Sequence, residues 1–173
     1  IMEREFYNGT ISGIQLDGKQ FFYVNPLEVN PGTSGTIFGY KHVLPTRPGW
    51  YACACCPPNL VRLVTSLGTY AWSESETTLY SHLFLGQTAD FEKAVITVDS
   101  SYPWEGKVTY QVKAKTKEAF ELAIHIPSHI CMDMLCVTVN GEKTDAASCM
   151  KDGYLYLNRN WGENDVVALT FDL

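Results

Sequence analysis

The sequence predicts a mixed fold, in which a helical and loop-rich first part (residues 1–76) precedes an antiparallel β-sandwich (residues 77–173). Two observations carry this prediction. Apolar residues in the first part recur at helical spacing between long loops, whereas from residue 78 onward apolar and polar residues alternate. The alternating segments are short and are separated by turn residues, as expected for a sandwich of roughly 95 residues.

A first helix is predicted at the start of the chain, before the turn at Asp17-Gly18. Its apolar stripe consists of Met2, Phe6, Ile11 and Ile14. Residues 21–29 then read as a short extended segment that is broken at Asn25-Pro26. Residues 29–50 are rich in proline and glycine and predict a long loop, a feature that in compact domains is usually functional or disordered.

A second helix is predicted from Pro57 and Pro58 to about Gly68. The two prolines suit a first helical turn, because the backbone N–H groups there have no partner within the helix. The apolar residues follow at i, i+3, i+4 and i+7, the spacing of one helix face. They are Leu60, Leu63, Val64 and Leu67.

Seven strands are predicted in the second part from their alternating pattern. Asn140-Gly141, Asp152-Gly153 and Gly162-Glu163 supply turn chemistry between several of them. The predicted strands span residues 79–86, 94–100, 107–114, 119–126, 135–141, 153–159 and 165–173.

Composition excludes several classes of function. The chain has 173 residues and a net charge of −6, and it lacks the basic patch of a nucleic-acid-binding protein. No apolar run is long enough to span a membrane, and the first residues do not resemble a signal peptide. We expect a cytoplasmic protein without a membrane or nucleic-acid partner. Because the chain begins with Ile1 in what reads as the middle of an element, we expect it to be part of a longer protein.

Three of the six cysteines, Cys53, Cys55 and Cys56, lie within four positions. They are too close in sequence to pair with one another without strain, and a chain with a full apolar core does not need disulfides, so reduced thiols are favoured. Cys55 and Cys56 precede the second helix, where unpaired N–H groups and the helix dipole favour negative charge. A thiolate is therefore expected there, and a thiolate can bind metal or act as a nucleophile.

The residues alone leave the role of these thiols open. A tetrahedral zinc site needs further ligands, and His42 is the nearest imidazole. A nucleophilic role needs an acid or base, for which Glu28 is the nearby candidate. A third interpretation is that the two thiols are small apolar side chains packed under a helix.

Several motifs, taken in order, resemble glycoside hydrolase family 127, the β-L-arabinofuranosidase-like enzymes. The most specific is "CCPPN" following "FFYVNPLE"; weaker ones are "SSYPWEGKV", "VTVNGE" and "DGYLYLNRNWGENDVVALTFDL". The resemblance runs from end to end of the chain. It implies that residues 1–76 form the last helices and the active-site loop of an (α/α)6 toroid, followed by the β-sandwich.

The resemblance also implies the chemistry of the site. Cys55 would be the catalytic nucleophile and a Zn²⁺ ligand, and Cys56 the second Zn²⁺ ligand, whereas Cys53 matches no family role. The remaining ligands and the acid/base glutamate would lie before Ile1, so the chain alone is expected to be inactive. A zinc-bound thiolate would thus replace the carboxylate nucleophile of ordinary retaining glycosidases.

The implied partner is a carbohydrate, an L-arabinofuranoside cleaved at the non-reducing end. Tyr23, Asn25, Trp50 and Tyr51 are expected to face this sugar. The alternative hypothesis is a non-catalytic β-sandwich that binds carbohydrate or serves as a structural module, next to a purely structural zinc–cysteine site. The sequence indicates neither the exact sugar nor the oligomeric state.

Overall fold

The computed structural model describes residues 1–173 with the exception of Leu27, Tyr40 and Ala54. The chain forms two units, Ile1–Leu67 and Gly68–Leu173. The domain boundary predicted at residue 76 lies later in the chain than the division between these units. Residues Gly68–Ala71 form a short helix, and the strand that follows it, Trp72–Glu74, pairs with Thr78–Ser81 in the first sheet of the second unit.

The predicted first helix is confirmed as a continuous run of helical turns over residues 2–13, but the run is irregular. Side chains compete for its carbonyl groups: Asn8 donates to Arg4 O at 2.9 Å, and Thr10 donates to Glu5 O at 3.2 Å. Gly9 lies between them. This competition accounts for the change of hydrogen-bonding pattern along the segment. Its parts are helix α1 (Met2–Glu5), a π-helical turn (Phe6–Thr10) and a 3-10 turn (Ile11–Gly13).

The extended segment predicted over residues 21–29 forms no strand in its described part. Only Phe21 makes a bridge, to Ile14. The backbone N–H of Phe21 donates to Pro48 O at 3.1 Å, in the long loop. This loop is confirmed: the described residues between 29 and 50 contain turns and bends but no helix or strand. Its end is anchored by Arg47, whose guanidinium lies 4.8 Å from the centre of the Phe22 ring.

Helix α2 (Cys56–Ser66) confirms the second predicted helix. Pro57 and Pro58 lie in its first turn, where the missing N–H groups cost no intrahelical bond. The predicted apolar face is only partly covered within the described structure. Leu60 and Leu63 are half-buried, whereas the side chain of Val64 is 43% exposed.

The second unit begins with helix α3 (Gly68–Ala71) and continues as two sheets. The first sheet has the strand order β1-β2-β6-β10-β9, and the second has the order β3-β4-β5-β11-β7-β8. The strands are β1 (Trp72–Glu74), β2 (Thr78–Ser81), β3 (Gln87–Asp90), β4 (Ala94–Ser100), β5 (Lys107–Ala114), β6 (Phe120–His125), β7 (Cys136–Val139), β8 (Glu142–Thr144), β9 (Met150–Lys151), β10 (Tyr154–Arg159) and β11 (Asp165–Thr170).

The predicted sandwich is therefore confirmed, with one departure in pairing. All seven predicted runs contain a strand, although β2 covers only the beginning of the first run. Strands β2 and β6 pair in parallel, whereas the other strand pairs are antiparallel. The short strands β1, β3, β8 and β9 were not predicted, because segments of two to four residues carry little periodic signal.

The core of the second unit combines inward-facing side chains of the strands with side chains from the segments between them, among them Phe84, Trp161 and Phe171. Burying each large apolar side chain stabilises the fold by about 1.5–3 kcal/mol. Two of its buried polar groups are hydrogen-bonded: the hydroxyl of Tyr110 lies 3.0 Å from Ser81 Oγ, and Trp161 Nε1 donates to Phe120 O at 2.9 Å. The largest fully buried side chains are Tyr110, Phe84, Phe120, Leu79, Ile96, Leu122, Ile124, Leu155 and Leu169.

Among the described residues, no helix is both long and apolar enough to cross a membrane.

Candidate functional site

The thiols of the cysteine cluster lie together at the start of helix α2. The sulfur of Cys55 is 3.5 Å from that of Cys56, and the Cys53 thiol donates to Cys55 Sγ at 3.4 Å. Cys53 and Cys55 are exposed, whereas Cys56 is half-buried. All six cysteines of the chain are free in this structure.

The start of α2 lacks an ordinary side-chain cap. Cys55 occupies the N-cap position and makes no capping hydrogen bond. Instead, Asn59 Nδ2 donates back to Cys55 O at 2.7 Å, and Asn59 Oδ1 accepts a bond from Arg62 at 2.5 Å. Asn59 and Arg62 were not among the predicted site residues. Their i, i+3 spacing behind the cysteines is a sequence signal that could have pointed to them.

Two tyrosines adjoin the sulfur cluster. The Cys56 thiol donates to the backbone carbonyl of Tyr23 at 3.7 Å, and the ring of Tyr23 stacks on that of Tyr51. Negative charge on Cys55, and to a lesser extent on Cys53 and Cys56, raises the pKa of the Tyr23 phenol above its ordinary value. Tyr23 therefore remains a neutral phenol beside the sulfurs at physiological pH. Both residues were predicted to face the sugar; the structure brings Tyr23 to the cysteines and stacks Tyr51 on Tyr23.

Asn25 and Trp50, the other two residues predicted to bind the sugar, have different surroundings from the two tyrosines. Asn25 uses its side-chain amide within the fold, donating to Gly9 O at 3.1 Å and to Ser12 Oγ at 3.0 Å. Trp50 is 67% exposed and makes no ring contact with the described residues. In the described structure, neither side chain makes a hydrogen bond to a sulfur atom of the cluster.

The acid/base and metal candidates of the sequence analysis are not brought to the sulfurs. Glu28 is exposed, and no hydrogen bond or ion pair joins it to the cysteines within the described structure. His42 is also exposed, and its backbone carbonyl accepts a hydrogen bond from the Tyr51 hydroxyl at 2.9 Å. Among the described residues, the His42 imidazole does not form a metal-binding group with Cys55 and Cys56.

A cavity of about 400 Å³ lies next to Cys56 in the first unit. Its wall is mainly apolar and includes Phe21, Phe22 and Leu60, with Asn25 among its polar residues. Cys56 lines this cavity, whereas Cys55 does not. The two adjacent cysteines therefore present their sulfurs to different surroundings.

The sulfur geometry fits two ligands of one zinc ion. Two thiolates on a tetrahedral zinc, each with a Zn–S bond of about 2.3 Å, have sulfurs about 3.8 Å apart. The Cys55–Cys56 separation of 3.5 Å is close to this value. Outside the three undescribed positions, the chain has no group of three or more histidine, cysteine, aspartate or glutamate side chains arranged to hold a metal. Cys55 and Cys56 could thus supply part of a zinc site but not all of it.

Comparison with known proteins extends over both units. Residues 1–69 match the family model of the beta-L-arabinofuranosidase GH127 catalytic domain, and residues 78–173 match that of the GH127 middle domain. The chain is 37% identical over 180 residues to the non-reducing end beta-L-arabinofuranosidase of Bifidobacterium longum subsp. longum. This alignment covers 100% of the chain and 27% of the relative, so the chain spans about a quarter of the length of that protein.

Solved structures agree with the sequence comparison. A GH127 beta-L-arabinofuranosidase from Geobacillus stearothermophilus superimposes with a TM-score of 0.85 at 42% identity, covering 99% of this chain and 27% of that one. A second GH127 beta-arabinofuranosidase gives a TM-score of 0.78 at 30% identity, with 99% and 28% of the two chains covered. Both units, their order and their sequence motifs thus assign this chain to glycoside hydrolase family 127.

Proposed function

We propose that this chain is part of a retaining glycoside hydrolase that removes β-L-arabinofuranose from the non-reducing end of its substrates, with the Cys55 sulfur as nucleophile. The observation that carries the proposal is the pair of free sulfurs of Cys55 and Cys56, 3.5 Å apart at the start of α2. Membership of the family and the activity named for the Bifidobacterium relative support the substrate class.

The reaction proceeds by two displacements at one carbon atom. The Cys55 thiolate forms a bond to the anomeric carbon while the glycosidic C–O bond breaks, and the departing oxygen takes a proton from a carboxylic acid. A water molecule then gives a proton to the resulting carboxylate and attacks the same carbon, and the C–S bond breaks to regenerate the thiolate. We assign this carboxyl group to the part of the protein outside this chain.

Cys55 and Cys56 would hold a zinc ion, with the other ligands contributed by the rest of the protein. Bound zinc would keep the coordinating thiols deprotonated at neutral pH. The exposed sulfur of Cys55 is accessible to a substrate, whereas Cys56 is half-buried and donates to Tyr23 O. We therefore assign attack to Cys55 and anchoring to Cys56.

Tyr23 and Tyr51 are the sugar-binding side chains that this geometry favours. The Tyr23 phenol lies near the sulfurs and its ring stacks on that of Tyr51, and a neutral phenol at Tyr23 can donate a hydrogen bond to a sugar hydroxyl. Trp50, which is exposed near the same segment, is assigned to the outer part of the same subsite. Asn25 is assigned a supporting role, because its amide bonds to the first helical segment.

The test is turnover of a β-L-arabinofuranoside by the full-length protein and its Cys55→Ala, Cys55→Ser and Cys56→Ala variants. We expect both Cys55 variants to lose turnover, and a slow substrate to leave one arabinosyl group on the wild-type peptide that contains Cys55. Cys131→Ser is the control, since Cys131 is exposed but distant in sequence from the cluster. Undiminished turnover in Cys55→Ala would refute the nucleophile assignment. Zinc bound by wild type but lost in Cys56→Ala without any loss of turnover would instead indicate a structural metal site.

A further inference from the structure

We propose that Asn59 is a positioning residue for the Cys55 sulfur and that Arg62 holds Asn59 in the orientation this role requires. The inference rests on the proposed function, because it assigns a role relative to the nucleophile of that reaction. Among the described residues, neither side chain makes a hydrogen bond to a sulfur atom of the cluster. Both act through the backbone of Cys55.

The Cys55 carbonyl is held chiefly by a side chain rather than by the helix. Asn59 Nδ2 donates to Cys55 O at 2.7 Å, whereas the backbone N–H of Asn59 reaches the same oxygen at 3.4 Å. The second distance is long for a hydrogen bond between backbone groups. The first turn of α2 contains two prolines and lacks a side-chain cap. The hydrogen bond from Asn59, a residue of the same helix, therefore restrains this turn.

Arg62 fixes the orientation of the Asn59 side-chain amide. Its guanidinium donates to Asn59 Oδ1 at 2.5 Å, and a guanidinium has no acceptor atom. The oxygen of the amide must therefore face Arg62, which leaves the NH₂ group to face Cys55. The charged donor strengthens the contact and polarises the amide, so that its N–H becomes a better donor to Cys55 O.

The backbone of Cys55 determines where its sulfur lies, because a single side-chain torsion separates the two. The sulfur of Cys55 contacts both Cys53 and Cys56 within 3.5 Å, so a tilt of the first turn would change both separations. Nucleophilic attack and metal binding are each sensitive to small displacements of the attacking or coordinating atom. The hydrogen bond from Asn59 Nδ2 to Cys55 O limits such a tilt.

The experiment compares Asn59→Ala, Asn59→Asp and Arg62→Ala in the full-length protein. Asn59→Asp is the decisive variant, because a carboxylate keeps the contact with Arg62 as an ion pair but cannot donate to Cys55 O. Thr65→Ala is the matched control: Thr65 Oγ1 also donates to a carbonyl four residues back, Val61 O at 2.9 Å, but in a later turn of the helix. The readouts are kcat and KM for a β-L-arabinofuranoside, the rate of zinc release to a chelator, and the midpoint of thermal unfolding.

We expect Asn59→Asp and Asn59→Ala to lower kcat and to accelerate zinc release, each about 10-fold or more, with little change in KM. Arg62→Ala should produce the same changes to a smaller extent, and Thr65→Ala should leave both rates as in wild type. Asn59→Asp should melt close to wild type, which separates positioning from general stability. Wild-type kcat and zinc release in Asn59→Asp would overturn the proposal, as would equal losses in Thr65→Ala.

Failure of this inference can be distinguished from failure of the proposed function by including Cys55→Ala in the same series. If Cys55→Ala retains turnover, the nucleophile assignment fails, and the role of Asn59 in positioning that nucleophile fails with it. If Cys55→Ala is inactive while Asn59→Asp matches wild type in turnover and zinc release, only the positioning role fails.

Discussion

Tyr23 and Tyr51 stack with their ring centroids 4.8 Å apart and their planes inclined by 14°. The pair connects three segments of the first unit. The Tyr51 hydroxyl donates to His42 O in the long loop, and the carbonyl of Tyr23 accepts from the thiol of Cys56. The stack therefore couples the conformation of the loop to the position of the sulfur cluster.

This coupling predicts a difference between two substitutions of Tyr51 in the full-length protein. Tyr51→Ala removes the stack and should lower kcat/KM for a β-L-arabinofuranoside about fivefold. Tyr51→Phe keeps the stacked ring and loses only an exposed hydrogen bond, so its kcat/KM should stay close to wild type. Steady-state kinetics measure both. Equal effects of the two substitutions would mean that the hydroxyl, rather than the stacked ring, is what matters at this position.

A histidine network in the second unit predicts a dependence of stability on pH. His82 lies between two hydroxyl groups, with Nε2 2.8 Å from Ser73 Oγ and Nδ1 2.8 Å from the hydroxyl of Tyr154. The ring of His125 lies 5.3 Å from that of Tyr154. Burial lowers the pKa of both His82 and His125 below the ordinary value of 6.5.

Both imidazoles are therefore favoured in their neutral form in the folded state. Between the lowered pKa values and 6.5 the unfolded chain binds more protons than the folded chain, so the free energy of unfolding rises with pH. It should accordingly fall as the pH is lowered from about 7 to about 5. Denaturant unfolding at several pH values measures this slope. His82→Gln should flatten it, whereas His42→Gln, the control in the exposed loop, should leave it unchanged; an equally steep slope in His82→Gln would argue against the assignment.

Turn chemistry accounts for much of what the sequence could predict about the second unit. Asn140-Gly141 and Asp152-Gly153 have positive φ at all four residues, the conformation of two-residue hairpin turns. Asn, Asp and Gly tolerate this conformation, so these two turns could be predicted from the sequence. The parallel pairing of β2 with β6 could not be predicted from the sequence, because strands β3, β4 and β5 of the other sheet lie between them in the chain.

The site was predictable to the extent that its residues are neighbours in sequence. Cys55 and Cys56 adjoin each other and precede a helix with a clear apolar period, and this placed both sulfurs at its start. The contact of Cys56 with Tyr23 joins residues 33 positions apart through an irregular loop. No periodicity encodes such a contact, and Tyr23 was singled out only through family resemblance.

A close approach of two backbone segments predicts a sharp effect of a glycine substitution. A Cβ atom on Gly106 would lie 1.8 Å from Phe171 O, whereas one on Gly86 would meet its nearest neighbour, Val98 O, at 3.8 Å. The backbone carbonyl of Gly106 also accepts from Phe171 N at 2.9 Å, so neither segment can move apart without losing this bond. Gly106→Ala should lower the free energy of unfolding by about 2 kcal/mol or more.

Gly86→Ala is the matched control, because it adds the same methyl group in the same unit without a clash. Its free energy of unfolding should differ from that of wild type by less than about 1 kcal/mol. Denaturant unfolding followed by tryptophan fluorescence measures both variants. Similar free energies of unfolding for the two variants would show that the backbone near Phe171 shifts easily to accommodate the added methyl group.

The chain of 173 residues, studied alone, is expected to bind Co²⁺ weakly and to show no turnover of a β-L-arabinofuranoside. Cys55 and Cys56 supply two sulfurs, and the described residues offer no larger group of ligands to complete a tetrahedral site. Titration with Co²⁺, followed by the sulfur-to-cobalt charge-transfer absorption, measures the affinity. Cys56→Ser should weaken binding further, whereas Cys149→Ser, in the sandwich, should not.

Activity of the chain alone would contradict this expectation in an informative way, since retaining hydrolysis needs a proton donor as well as a nucleophile. The donor would then have to lie within the 173 residues. Glu28 would be the first candidate, because it follows the segment of Tyr23 that contacts Cys56. The test is the activity of Glu28→Gln, with Glu76→Gln as an exposed control. Loss of activity in Glu28→Gln would assign the acid/base role to Glu28. A carboxyl group outside the chain would then not be needed.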